Sequence, residues 1–214
     1  MIVTAVERQR RRRRVNVFVD GRFALALGKE LAAERGVRPG RALTSDELAA
    51  LAEAEARRGA LESALRLLAY RPRSERELHD RLIRKGYESA VIEVTLGRLR
   101  ELGYLDDEAF ARFWTETRQA LSPKSRRLLA VELRRRGVAQ STAEQATADI
   151  SDEEAAYQAA SRRLRTLRGL EYQRFRERLG GFLTRRGFSY DVARRTLDRC
   201  WAELQGEPPA GGMA

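Results

Sequence analysis

The chain has 214 residues, 43% hydrophobic and 34% charged, with a formal net charge of +11. That apolar share supports a packed core and excludes disorder throughout. One cysteine excludes an internal disulfide, and the lack of a membrane-length apolar run or a signal-peptide start points to a cytoplasmic protein with no membrane role, whose charge suits a polyanionic partner.

The opening segment, residues 1–43, reads as β structure. Val15–Val19 and Arg22–Leu27 flank Asp20-Gly21, a pair suited to a type I′ hairpin turn, and a strand near Ile2–Val6 would complete a meander. Between them, Arg10 to Arg14 form a run of adjacent like charges that belongs at an exposed strand start or loop. Gly36, Pro39 and Gly40 mark a loop. Thr44 and Glu47 then form a capping box that opens a linking helix over 44–59.

From Ala60 onward the signals are helical. The first unit, 60–105, predicts helices over 60–70, 74–85 and 88–101, with Pro72 as a break and Ser74 with Glu77 as a second capping box. The second, 106–150, predicts 106–119, 123–136 and 140–150, with Ser122-Pro123 as cap and first helical residue. The third, 151–204, predicts 152–167, 170–186 and 189–204, and its middle helix carries Gly180-Gly181. The tail, 205–214, holds two prolines and three glycines and is expected to be disordered.

One phrase recurs in all three units: two leucines four apart, then a basic residue, a glycine and an apolar residue. It is Leu78, Leu82, Lys85-Gly86-Tyr87; then Leu129, Leu133, Arg136-Gly137-Val138; then Leu179, Leu183, Arg186-Gly187-Phe188. The glycines stand 51 and 50 residues apart. A period of that length marks tandem supersecondary units, here a mainly α, elongated array behind the N-terminal hairpin segment. Each glycine falls where a helix ends with its backbone in the left-handed region.

Chemistry-bearing constellations are sparse. His79 and Cys200 are the only histidine and cysteine, so no zinc set can be assembled and no metal or cofactor is expected. Asp106-Asp107-Glu108 and Asp152-Glu153-Glu154 occupy helix starts, where carboxylates cap amides and complement the dipole. No catalytic residue is assigned, and the chain reads as a binding protein rather than an enzyme. Phe110, Phe113 and Trp114 make an aromatic stripe that reads as core.

The basic residues carry the functional reading. Arg11, Arg12 and Arg13 in the arginine run are candidates for phosphate contact. Lys85 and Arg134, Arg135 and Arg136 end middle helices, where a cation is already favoured by the dipole. Arg71, Arg73, Lys124, Arg126 and Arg127 sit at the starts of second helices, where the dipole opposes them, and a binding face explains them better. The charge is also spread out: 13 basic against 8 acidic residues over 1–59, then 17 against 14, then 12 against 9. Weak, non-specific contact with single- or double-stranded DNA inside a complex suits that balance better than wrapping of free DNA.

The stretch Ala64–Leu78 with its Arg71-Pro72-Arg73-Ser74, then Lys85-Gly86-Tyr87, Gly103-Tyr104-Leu105-Asp106-Asp107 and Arg136-Gly137-Val138, resembles the RecX family of recombination regulators. The hairpin segment is similar to an N-terminal extension found in part of that family. The resemblance implies tandem three-helix units, a non-enzymatic monomer, and binding to the RecA filament on DNA. It implies suppression of RecA ATPase, strand exchange and co-protease activity. A stand-alone, transcriptional DNA-binding protein is the alternative, since short helix-turn-helix elements could read a groove.

Overall fold

The computed structural model describes residues 1–10 and 13–206. The expectations placed on Arg11, Arg12 and residues 207–214 lie outside the described residues. The chain divides into two compact units: Met1–Arg71 with Leu78–Leu105, and Pro72–Glu77 with Asp106 onward.

The first unit opens on an antiparallel sheet of β1 (Val3–Arg8), β2 (Arg14–Val19) and β3 (Arg22–Gly28), in the order β1-β2-β3. Val15, Val17 and Val19 of β2 are buried and alternate with less buried neighbours, the period-2 signature of a half-covered sheet. Asp20 and Gly21 both take positive φ, 48° and 81°, the backbone that a type I′ hairpin requires. A short helix α1 (Lys29–Glu34) follows, not anticipated from the sequence, and buries Leu31 and Ala32. These elements share one apolar cluster with Leu43 and Leu51.

Helix α2 (Ser45–Tyr70) opens on the predicted capping box: the Glu47 amide donates to Thr44 Oγ1 and the Thr44 amide to the Glu47 carboxylate. It runs unbroken through Gly59, where two helices were expected. A Cβ at Gly59 would lie 3.2 Å from Tyr87 Oη, so the glycine makes room for a ring rather than ending a helix. Tyr87 Oη in turn shares a hydrogen bond with Ser63 Oγ, 3.1 Å. With α3 (Glu75–Ile83) and α4 (Ser89–Glu101), α2 closes a core on Ala64, Leu78, Leu82, Ile92, Leu96 and Leu99.

The second unit holds α5 (Asp107–Leu121), α6 (Arg126–Arg135), α7 (Gln140–Ala146), α8 (Asp152–Leu167), α9 (Tyr172–Arg185) and α10 (Tyr190–Gln205). α5 to α7 pack on Phe110, Ala111, Leu133, Val138 and Ala143. α8 to α10 pack on a larger cluster that includes Phe175, Leu179, Leu183, Phe188 and Cys200. Three helices per repeat therefore recur as predicted. Two local expectations differ. α6 begins at Arg126 behind an N-cap at Ser125, whereas Ser122 caps the C-terminus of α5. Phe113 is partly exposed, leaving Phe110 and Trp114 as the inward aromatics.

Candidate functional site

The recurring glycines do more than end helices. Gly86, Gly137 and Gly187 have φ of 86°, 90° and 84°, a region that L side chains avoid. Around Gly86 nothing stands within 4 Å of an added Cβ. A Cβ on Gly137 would overlap the Arg76 side chain, and one on Gly187 would lie 2.6 Å from Ser125 Oγ and 2.7 Å from Leu128 Cβ. The first turn of α3 is thus seated against the α6–α7 turn, and the first turn of α6 against the α9–α10 turn. Both seams lie within the second unit.

Each seam is stitched by polar bonds at equivalent places. Ser74 Oγ donates to the Arg136 carbonyl, and the Ser125 amide donates to the Arg186 carbonyl at 3.0 Å. The Glu75 amide donates to Asp107 Oδ1 at 2.8 Å, and the Arg126 amide to Asp152 Oδ1 at 2.7 Å. A carboxylate from the first turn of one helix therefore satisfies the free amide at the start of another. Asp107 and Asp152, read from the sequence among the caps of their own helices, cap a neighbour instead, while Asp106 and Ser151 cap α5 and α8. Burial pushes the Asp107 carboxyl above its usual range, against the lowering effect of the Glu75 amide.

The seams decide which arginines are available. Arg73 is buried, 6% exposed, with Nη1 3.9 Å from Glu77 Oε2. Arg136 pairs with Glu77 and its guanidinium lies 3.7 Å from the Trp114 ring centre. Lys124 pairs with Glu132, which also receives Arg118 at 3.2 Å and the Trp114 indole N–H at 3.2 Å. Burial pushes Glu132 up, but Lys124, Arg118 and Trp114 together outweigh it and hold the carboxyl below its usual range. Arg73, Lys124 and Arg136 thus belong to internal ion pairs, and Arg71 is half-buried. The carboxylates that meet Arg73 and Lys124 lie four and eight residues further along the chain.

Arg126, Arg127, Arg134 and Arg135 differ. All four are exposed on α6, and among the described residues none is ion-paired with a carboxylate. Arg126, Arg127 and Arg134 border a shallow hollow of about 370 Å³ whose lining also includes the carboxylates of Glu144 and Asp152. Lys85 and Arg13 are exposed in the first unit. His79 stands 3.5 Å from Asp80 and 3.9 Å from Glu93 on the surface. Among the described residues no group of three or more His, Cys, Asp or Glu side chains could hold a metal ion. No helix there is long and apolar enough to cross a membrane.

The fold and these surfaces define a tandem three-helix repeat protein with a cationic helix face. Family models agree along the chain: the regulatory protein RecX N-terminal domain matches residues 1–44, and the first, second and third RecX three-helix domains match 60–99, 106–146 and 151–197. The chain belongs to the RecX family. A regulatory protein RecX from Thermobifida fusca (strain YX) is 40% identical over 136 residues, covering 62% of this chain and 74% of that one. One from Mycobacterium sp. (strain JLS) is 37% identical over 151 residues, covering 67% and 80%. One from Lactobacillus johnsonii is 29% identical over 153 residues, and the chain spans 56% of its length. A crystal structure of regulatory protein RecX shares the fold with a TM-score of 0.66 at 24% identity, covering 92% of this chain and 98% of that one.

Proposed function

We propose that this protein is a negative regulator of the RecA recombinase, binding the RecA filament on DNA and suppressing ATP hydrolysis, strand exchange and co-protease activity. Membership of the RecX family along the whole repeat region supports this reading most strongly. A binding role also suits a chain whose polar chemistry is spent on seams and surface charge. Arg126, Arg127, Arg134 and Arg135 form the face through which α6 meets the filament, its DNA or both. Arg13 and Lys85 add exposed charge in the first unit.

The test is RecA ATPase on single-stranded DNA with the protein well below one molecule per RecA protomer. Inhibition is expected, and reversal of Arg126, Arg127 and Arg134 to glutamate should weaken it while leaving helix content unchanged. Full RecA activity in the presence of folded protein would overturn the reading. Tight, salt-resistant binding to a single duplex sequence would instead favour a stand-alone transcriptional role.

A further inference from the structure

The two seams are built alike, yet their charge does not balance alike. In sequence register, Glu77 at the first seam corresponds to Leu128 at the second, each three residues after the seam serine and one before the first leucine of the repeated phrase. Glu132, one residue before Leu133, corresponds to Phe182, one before Leu183. The two carboxylates that neutralise Arg136, Arg118 and Lys124 at the first seam thus give way to apolar side chains at the second. The arginines remain. Arg186 takes the place of Arg136, and Arg163, eleven residues after Asp152, takes the place of Arg118, eleven after Asp107.

The geometry follows that substitution. The guanidinium carbons of Arg163 and Arg186 lie 4.4 and 4.5 Å from the Phe182 ring centre. Arg186 Nη1 donates to Ser122 Oγ at 2.9 Å and to the Pro123 carbonyl at 2.7 Å. Arg162 donates to the Ala120 and Leu121 carbonyls at the end of α5, 2.8 and 3.2 Å. Among the described residues none of the three is ion-paired with a carboxylate. Asp152 is occupied by the Arg126 amide, and Glu153 by Arg195 at 2.7 Å.

The end of α5 supplies about half an elementary negative charge, against three full positive charges. Each guanidinium has five N–H donors, so several stay available after the carbonyls are satisfied. Burial, and then the charges of Arg163 and Arg162, push the Arg186 guanidinium below its ordinary value, as expected where like charges gather without a counterion. A planar, forked donor set with uncompensated charge suits phosphate oxygens.

We propose that Arg162, Arg163 and Arg186 form a binding site for the phosphodiester backbone of a nucleic-acid strand, seated at the seam between α6 and the α9–α10 turn. The site is separate from the exposed α6 face, and the reading above contributes only the expectation that the strand is DNA.

The experiment measures affinity of the full chain for fluorescent oligothymidylate across a salt series, without RecA. Arg163→Glu is compared with Arg165→Glu, which makes the same change in net charge at an exposed position on the same helix. Leu128→Glu restores the carboxylate that the first seam carries and should neutralise Arg186 from within. Arg163→Glu and Leu128→Glu should each weaken binding about fivefold more than Arg165→Glu, with the salt slope falling by about 0.7 for each phosphate no longer neutralised. Equal effects of Arg163→Glu and Arg165→Glu would mean that net charge alone is sensed, and would overturn the site. So would displacement of the strand by inorganic phosphate at matched ionic strength, which would mark an isolated anion pocket. If Arg163→Glu does not fold, Arg163→Gln is compared with Arg165→Gln, and Leu128→Glu is read as before. RecA ATPase read on the same preparations separates the claims: inhibition with no loss of strand affinity sinks only the site, and strand binding without inhibition sinks only the regulatory reading.

Discussion

Replacing Gly187 with alanine tests whether the repeated glycine is a helix terminator or a seam. A residue with a Cβ held at φ 84° costs about 1–2 kcal/mol from left-handed backbone alone. The new methyl would also sit 2.7 Å from Leu128 Cβ, which is fixed to the α6 backbone and cannot swing aside. The first turn of α6 must then shift, and overpacking of this kind costs about 1–3 kcal/mol more. The total is about 2–5 kcal/mol. Gly169→Ala is the matched control: φ is 76°, the position lies in the same unit, and nothing stands within 4 Å of its added methyl. Urea denaturation followed by the fluorescence of Trp114 and Trp201, both in that unit, should show Gly187→Ala losing roughly 1–3 kcal/mol more than Gly169→Ala. Amide exchange adds a local readout, because the Ser125 N–H donates to the Arg186 carbonyl and should exchange faster only in Gly187→Ala. Equal losses in the two variants, with Ser125 still protected, would refute the seam.

The internal charge network makes a pH prediction. Since the folded Glu132 carboxyl is held below its unfolded value, its contribution is present at neutral pH and is lost as pH falls through the folded pKa. Glu132→Gln should therefore cost roughly 2 kcal/mol at pH 7 and nothing under strongly acid conditions, in paired denaturation curves across pH. Cys200 gives a second readout. Burial first, and Glu203 next, push its thiol up to about 12, so a thiolate-specific reagent should leave the native protein unmodified at pH 8 and react as the third repeat opens in urea. Prompt native labelling would contradict the packing around α10. At Tyr87, removing the hydroxyl with Tyr87→Phe leaves Ser63 without that partner and should cost about 1 kcal/mol by circular dichroism-monitored denaturation.

The features legible in the sequence were those encoded by neighbours along the chain. Asp20-Gly21 announces its turn because both residues tolerate positive φ, and Thr44 with Glu47 announces α2 because the two halves of the box are three residues apart. The leucine pairs and their glycines marked the repeat for the same reason. The break expected between residues 59 and 60 is absent, because nothing local reveals that Gly59 lies inside one helix and admits a ring from 28 residues away. The α6 boundary slipped because Ser122-Pro123 and Ser125 are equally good caps locally, and the choice is made by Arg186, whose donors hold Ser122 and Pro123 in the seam. The candidate site divided along the same line. Reasoning about dipoles singled out Lys124, Arg126 and Arg127 alike, whereas the pairing of Lys124 with Glu132 and of Arg136 with Glu77 is set by the fold.

The seams also determine where the chain can be cut. Loops are the customary places to divide a repeat protein, yet Pro72–Glu77 packs with the second unit although it leads directly into a helix of the first. A fragment beginning at Asp106 would retain α5 to α10 but forgo the Glu75 amide that Asp107 receives and the serine that meets the Arg136 carbonyl. A fragment ending at Leu105 would keep those groups while removing the carboxylate and the carbonyl they bind. The modular boundary of this architecture runs through the first turn of a helix, so a fragment keeps the first seam only if Ser74 and Glu75 stay in one chain with Asp107 and Arg136.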